Sequence, residues 1–175
     1  MAEIEIHRGH EPAGDPLAKR IGLMVGVIGV ALAVATIVSH REHTHAVLTR
    51  TEANDLWAFY QAKKIREHTS DVGGQLLEAL GTDPARTAAA AAKFEASRAK
   101  YTADAEQTHK QAEAKEADTE HSERLALRFD LGEGFLELGL VLTSLFFLGR
   151  QSLFPIAGGI AAVAGAAIAA SALFL

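Results

Sequence analysis

Glu133 and Glu137 stand four residues apart in FDLGEGFLELGLVLTSLFFLG, a run that carries no other charge after Asp130. On a helix that spacing puts both carboxyls on one face. Carboxyls at membrane depth are costly and usually face protein or water. The chemistry open to them is a proton or cation relay, or a polar lock between helices. The plainer reading leaves Glu133 in the headgroup region. Glu137 is then neutral and hydrogen-bonded to a neighbouring helix, with no cationic partner in the same chain.

Imidazoles and carboxylates suit zinc or another transition metal, and His40, His43, His45 and His121 stand with Glu42, Glu120 and Glu123 in segments that a fold-back near residue 82 brings level. The spacing argues against a metal site. His40 and His43 are i, i+3, no strict i, i+4 pair exists on that helix, and HExxH is absent. Solvated interfacial histidines are expected, whose protonation near pH ~6.5 would tune packing. No metal and no cofactor are assigned.

Leu56, Trp57, Phe59 and Tyr60 form an apolar cluster, either a recognition patch or packing within a hairpin or an oligomer. Lys63, Lys64 and Arg66, flanked by Glu67, read as a solvated face. There is no Gly-rich phosphate loop, no GxSxG, no nucleophile–base pair and no cysteine. The chain is expected not to be an enzyme. A net charge of −5 gives no footprint for nucleic acid.

The elements that must position these residues follow from a strong segregation of polarity. Ile21–Ser39 is uncharged and apolar all round, about the length that crosses ~30 Å of hydrocarbon as a helix. Leu131–Leu175 is nearly all apolar. Between them, residues 40–130 hold 13 of the 17 Lys/Arg and 16 of the 22 Asp/Glu, which makes a polar module between membrane segments. The predicted fold is all-α: a mobile tail over 1–19, a first span over 20–39, an extramembrane helical hairpin over 40–130 turning at 81–84, and further spans over 131–149 and 155–175. The first span is too long for a signal peptide and no small-residue cleavage site follows, so it is expected to stay as an anchor.

Helix formers dominate from Ala85 to Gly149, and no proline interrupts them. Gly81 suits a helix C′ position, Thr82 or Asp83 an N-cap, and Pro84 a helix start. In the first arm Val47, Thr51, Ala58, Ala62, Ile65, Thr69, Val72, Leu76 and Leu80 recur at helical spacing, which predicts a stripe facing a partner helix. The aromatic cluster adds more apolar surface than one partner covers. In the second arm Phe94 and Tyr101 continue as Thr108, Lys115 and Ser122, and Ala92, Ala96, Ala99 and Ala103 form another line. Folding at 81–84 pairs residues whose numbers sum to roughly 165. That sets Tyr60 near Ala105 and His45 near Glu120 and His121, and the two arms return to the membrane with equal lengths.

Small residues four apart let helix backbones approach closely. Gly22 and Gly26 in the first span, and Gly158 and Gly165 in the third, are therefore interface candidates. Such patterns also arise by chance in Gly/Ala-rich spans.

TEANDLWAFYQAKKIREH resembles the signature of a bacterial family of membrane proteins of unknown function, the DUF4337 family. The likeness covers nearly the whole chain and is most specific over Thr51–Ile65. It implies the same architecture and no catalytic residue.

The expected location is the bacterial inner membrane. Lys19-Arg20 before the first span favours a cytoplasmic N-terminus and a hairpin outside the cytoplasm. The first functional expectation is a non-catalytic scaffold that contacts lipid and self-associates into a homo-oligomer. The second is an accessory subunit of a larger membrane complex, docked through Leu56–Tyr60. The third is an ion or proton pathway on Glu133 and Glu137.

Overall fold

The structure, a computed structural model, describes residues 15–174. It is all-helical, with no strand among the described residues. Helix α1 runs Pro16–Leu80, α2 Pro84–Ser144, α3 Phe146–Gly149 and α4 Leu153–Ser171, followed by a 3-10 turn at Ala172–Phe174. Most of the tail assigned to 1–19 lies outside the described residues; Pro16–Lys19 are helical, not tail.

Both long helices start on an Asp-Pro pair. The Leu17 N–H donates to Asp15 Oδ1 at 3.0 Å. The N–H groups of Ala85 and Arg86 donate to Asp83 Oδ1 at 3.0 and 3.3 Å. Pro16 and Pro84 take the first helical position, where an N–H would have no intrahelical acceptor. Gly81 does not adopt the left-handed C′ conformation expected of it, since no described glycine has positive φ. Glycine is needed there for space: a Cβ would lie 2.7 Å from the Leu77 carbonyl oxygen and against the Thr87 side chain. The Gly73-Gly74 pair leaves α1 unbroken. The Phe94 ring lies over Gly73, 2.7 Å from where a Cβ would stand.

The chain divides into two units, one gathering residues up to Arg41 with those from Leu125 on, the other Glu42–Arg124. Within Glu42–Arg124, α1 and α2 pair in antiparallel. Thr49 bonds Thr119, and Gly74 and Gly81 lie against Phe94 and Thr87. Paired numbers therefore sum to 168 rather than 165, so Tyr60 meets His109, not Ala105. The seam of α1 runs through Ala46, Thr49, Ala53, Leu56, Tyr60, Lys63, Glu67 and Ser70, all buried or half-buried at steps alternating three and four. Opposite it run Tyr101, Ala105, Thr108, Ala112, Lys115, Thr119 and Ser122. Steps of three and four average 3.5 residues, the period that keeps one face against a partner helix. The seam is built largely from alanine, serine and threonine, with Leu56, Tyr60, Lys63, Glu67, Tyr101 and Lys115 as its larger members.

This corrects the stripe expected to face the partner helix. Val47, Thr51, Ala58, Ala62, Ile65, Thr69, Val72, Leu76 and Leu80 are all exposed, and so is the alanine line 92, 96, 99 and 103. Of the lines read from the sequence, the one through Tyr101, Thr108, Lys115 and Ser122 lies in the seam.

The other unit holds three apolar helical segments. Ile28 and Ala35 of α1, Leu136 of α2 and Ala162 of α4 form its buried cluster, with Met24, Ala31, Leu32 and Leu140 packed around it. Outward-facing residues are apolar too, among them Leu23, Val27, Val30, Ile160 and Val163. Three helices are long and apolar enough to cross a membrane. A helix that is apolar on every side, here with little of it covered by the chain, suits lipid rather than water.

α2 and α4 meet through glycine and alanine. A Cβ on Gly158 would lie 2.6 Å from the Gly139 carbonyl oxygen, one on Gly139 2.8 Å from that of Gly158, and one on Gly165 2.6 Å from that of Gly132. Backbones this close leave no room for a methyl group. The helical run to Gly149 carries one irregularity: α2 stops at Ser144 and α3 starts at Phe146, and the Leu145 N–H between them is shared between the carbonyls of Val141 and Leu142 at 3.1 and 3.2 Å. α3 ends on Arg150, which is left-handed at φ 51°. That costs a non-glycine residue about 1 kcal/mol. The Arg150 N–H donates to the Phe146 oxygen at 2.8 Å, and its guanidinium lies 2.9 Å from Asp15 Oδ2 and over the Phe146 ring. α4 begins at Leu153, not at Pro155; Pro155 falls in the first turn, where its missing N–H costs nothing.

Gly158→Ala and Gly165→Ala should each destabilise the α2–α4 contact by about 1–3 kcal/mol, the usual cost of overpacking. Gly26→Ala, with nothing within 4 Å of its Cβ position, should be neutral or stabilising. Unfolding in mild detergent compares the three directly.

Candidate functional site

Polar side chains lie between α1 and α2 in both units. In the apolar unit, the Ser39 hydroxyl donates to Asp130 Oδ1, and Thr36 Oγ1 lies 2.7 Å from Glu133 Oε1 and 3.0 Å from the Leu32 carbonyl oxygen. A hydroxyl can donate or accept, so Thr36 joins the Glu133 carboxyl of α2 to the backbone of α1, the arrangement of a polar lock between helices.

The placement of the two glutamates reverses the plainer sequence reading. Glu133 is the one bonded to a neighbouring helix, while Glu137 is exposed. Their i, i+4 spacing holds, but only Glu133 is turned far enough toward α1 to meet a hydroxyl. Beyond them, Thr143 and Ser144 return their hydroxyl protons to the carbonyls of Gly139 and Leu140 at 2.7 Å. On the other side, Arg128 reaches Ser171 at 2.9 Å.

In the polar unit the seam carries a second row. Thr119 Oγ1 lies 2.9 Å from Thr49 Oγ1, and Thr49 lies 3.0 Å from the His45 carbonyl. His45 Nδ1 is 2.9 Å from Ser122 Oγ. Lys63 Nζ donates to Thr108 at 2.6 Å and to the Asp104 carbonyl at 3.1 Å, so this lysine belongs to the seam, not to the solvated face expected for it. Lys64 pairs with Glu67 at 2.6 Å. The Lys64 ammonium holds the Glu67 carboxyl below its usual range.

Ion pairs flank the row. Arg50 meets Glu123 at 2.8 Å and Lys115 meets Glu52 at 2.6 Å. The Lys115 ammonium, by hydrogen bond and by charge, lowers the Glu52 pKa from 4.5, and Glu52 raises that of Lys115 from 10.5. Such exposed pairs add little stability each and weaken with salt.

The histidine candidates for a metal site are His40, His43, His45 and His121. All four are exposed, and the His45 Nδ1 lies against Ser122 Oγ. Among the described residues no group of three or more His, Asp or Glu is placed to hold a metal ion. Trp57, Tyr60 and His109 form an aromatic trio with centroids 5.1–5.7 Å apart. Of the four residues named as an interface cluster, Leu56, Trp57 and Tyr60 are half-buried within the unit and Phe59 is 62% exposed. His109 was missed; it falls seven residues before Glu116 in a charged stretch with no apolar period to mark it. Of the small-residue candidates, Gly158 and Gly165 lie buried against α2, whereas Gly22 and Gly26 have nothing within 4 Å of a Cβ.

The Glu52–Lys115 pair predicts a pH window. The lowered Glu52 stabilises above its ordinary 4.5 and loses that effect as pH falls through its folded value; the raised Lys115 stabilises below 10.5 and loses it as pH rises through its own. The melting-temperature difference between wild type and Glu52→Gln should therefore be flat from about pH 5 to 10 and vanish in acid and in strong base. Circular dichroism melts at low salt measure it.

No curated protein and no solved structure matches this chain. The family described as "Domain of unknown function (DUF4337)" matches residues 17–175, from the start of α1 through α4, and the chain belongs to that family.

Proposed function

We propose that this protein is a non-catalytic, multi-pass membrane scaffold that assembles with copies of itself. Its spans anchor it in the inner membrane. The antiparallel arms of α1 and α2 form a coiled-coil-like hairpin that stands outside the cytoplasm. The observation that carries this reading is an apolar face left open in the polar unit. Ile65, Leu76 and Leu80 of α1 are 67%, 58% and 70% exposed, in a segment whose charge belongs in water. Exposed patches of that kind mark interaction surfaces.

An accessory role in a larger complex is the alternative. The placement of Trp57 and Tyr60 against His109 weakens it, because Phe59 is left as the main exposed aromatic for docking. A proton or cation path is supported by the Thr36–Glu133 contact alone. Vesicle flux that falls in Glu133→Gln would support it, and unchanged flux would remove it.

Mass measurement of the full chain extracted in mild detergent is expected to show several copies per particle. A particle of one copy would overturn self-association, and one with a different protein at fixed ratio would favour the accessory role. Reporters fused at each end test the orientation: a cytoplasmic reporter active at the N-terminus and silent at the C-terminus is expected.

A further inference from the structure

Within Glu42–Arg124 each long helix carries a second regular face, turned away from its partner arm. On α1 it runs through Ile65, Thr69, Val72, Leu76 and Leu80, and is bulky and apolar. On α2 it runs through Ala89, Ala92, Ala96, Ala99 and Ala103, and is small. All ten residues are exposed in the single chain. Both faces step by three and four, as the seam does.

The two faces match in level. In this chain, residues at one height sum to 168, as in Thr49–Thr119 and Gly74–Phe94. Two copies in one bilayer share an orientation, so their tips point the same way. Set side by side, they bring Leu76 opposite Ala92, Val72 opposite Ala96, Thr69 opposite Ala99 and Ile65 opposite Ala103, each pair summing to 168. At three of these four steps a bulky apolar residue meets an alanine, as a knob meets a hole, and at the fourth Thr69 meets Ala99.

The faces also change character together. Below Ala103 the same line of α2 turns to Glu106, Lys110 and Glu113. Below Ile65 the line of α1 turns to Ala62, Ala58, Asp55 and Thr51. The alanine row thus ends at the level where the bulky stretch of α1 ends. Pairing of α1 with α1 would set bulk against bulk and leave the alanines uncovered.

We propose that copies of this chain pack side by side, the Ile65–Leu80 face of α1 in one copy seated on the Ala89–Ala103 face of α2 in the next. This rests on the self-association reading and gives it a geometry. The contact joins unlike faces, so each copy retains one of each, and the arrangement continues into a ring or a row.

The chain has no cysteine, so introduced thiols are the only ones present. Full-length Val72→Cys and Ala96→Cys chains carrying different tags are coexpressed and oxidised in native membranes. A disulfide joining the two tags is expected, at least tenfold above either variant alone. Val72→Cys linking chiefly to itself would overturn the proposal and leave self-association standing. A single-copy mass with no link of any kind would overturn both. Ala96→Glu, exposed and harmless to the single chain, is expected to weaken assembly at least tenfold; unchanged particle mass would overturn the proposal.

Discussion

Close approach of helix backbones is the constraint on which the structure depends. It is met by removing side-chain volume, not by adding apolar bulk. Where α2 meets α4 the residues are Gly132, Gly139, Gly158, Ala162 and Gly165, and carbonyl oxygens stand where a methyl group would. Where α1 meets α2 in the polar unit, Ala53, Ala105 and Ala112 alternate with Thr49, Thr108, Thr119 and Ser122. Packing and short hydrogen bonds hold such contacts in lipid, where burial of apolar surface gives no drive. The same device recurs in the part whose charge belongs in water.

A seam of hydroxyls and methyls buries little area per residue. Its hydroxyls are satisfied locally, most by the carbonyl one turn back, as in Thr108 to Asp104 and Thr119 to Lys115. No described buried side-chain polar atom lacks a partner. Cross-seam bonds such as Thr49–Thr119 and Lys63–Thr108 then favour this register, because a slip by one residue would break them even though the hydroxyls would keep their local acceptors. Register here is a polar property, whereas in most helix pairs it is set by interlocking leucines.

Much of the architecture was legible in the sequence. The uncharged stretch Ile21–Ser39, the Asp83-Pro84 start and the proline-free arms each have a local physical signature, and the helices follow them. The start at Asp15-Pro16 was equally readable, since it repeats the later pair, but it sat inside a stretch taken for tail. The seam was misread for a clear reason. Periodicity reading weighs hydrophobicity, so it selected Ile65, Val72 and Leu76, the largest apolar residues at regular spacing. Alanine, serine and threonine occur on both faces of each arm, on the exposed lines through Ala58 and Ala96 as well as in the seam through Thr49 and Ala112, so their spacing alone does not mark which line packs. Of the two glutamates, spacing could say that they share a face. It could not say that Thr36 reaches Glu133, because that depends on a register offset of three residues.

The repeating steps of three and four have a consequence for length. Seven residues removed from each arm at the same level would return every seam residue to an equivalent partner, shortening the paired helices by about 10 Å. Span is thus a variable separate from contact chemistry: arms of this build can be lengthened or trimmed in whole repeats, like a ladder cut between rungs, while their faces keep the same order.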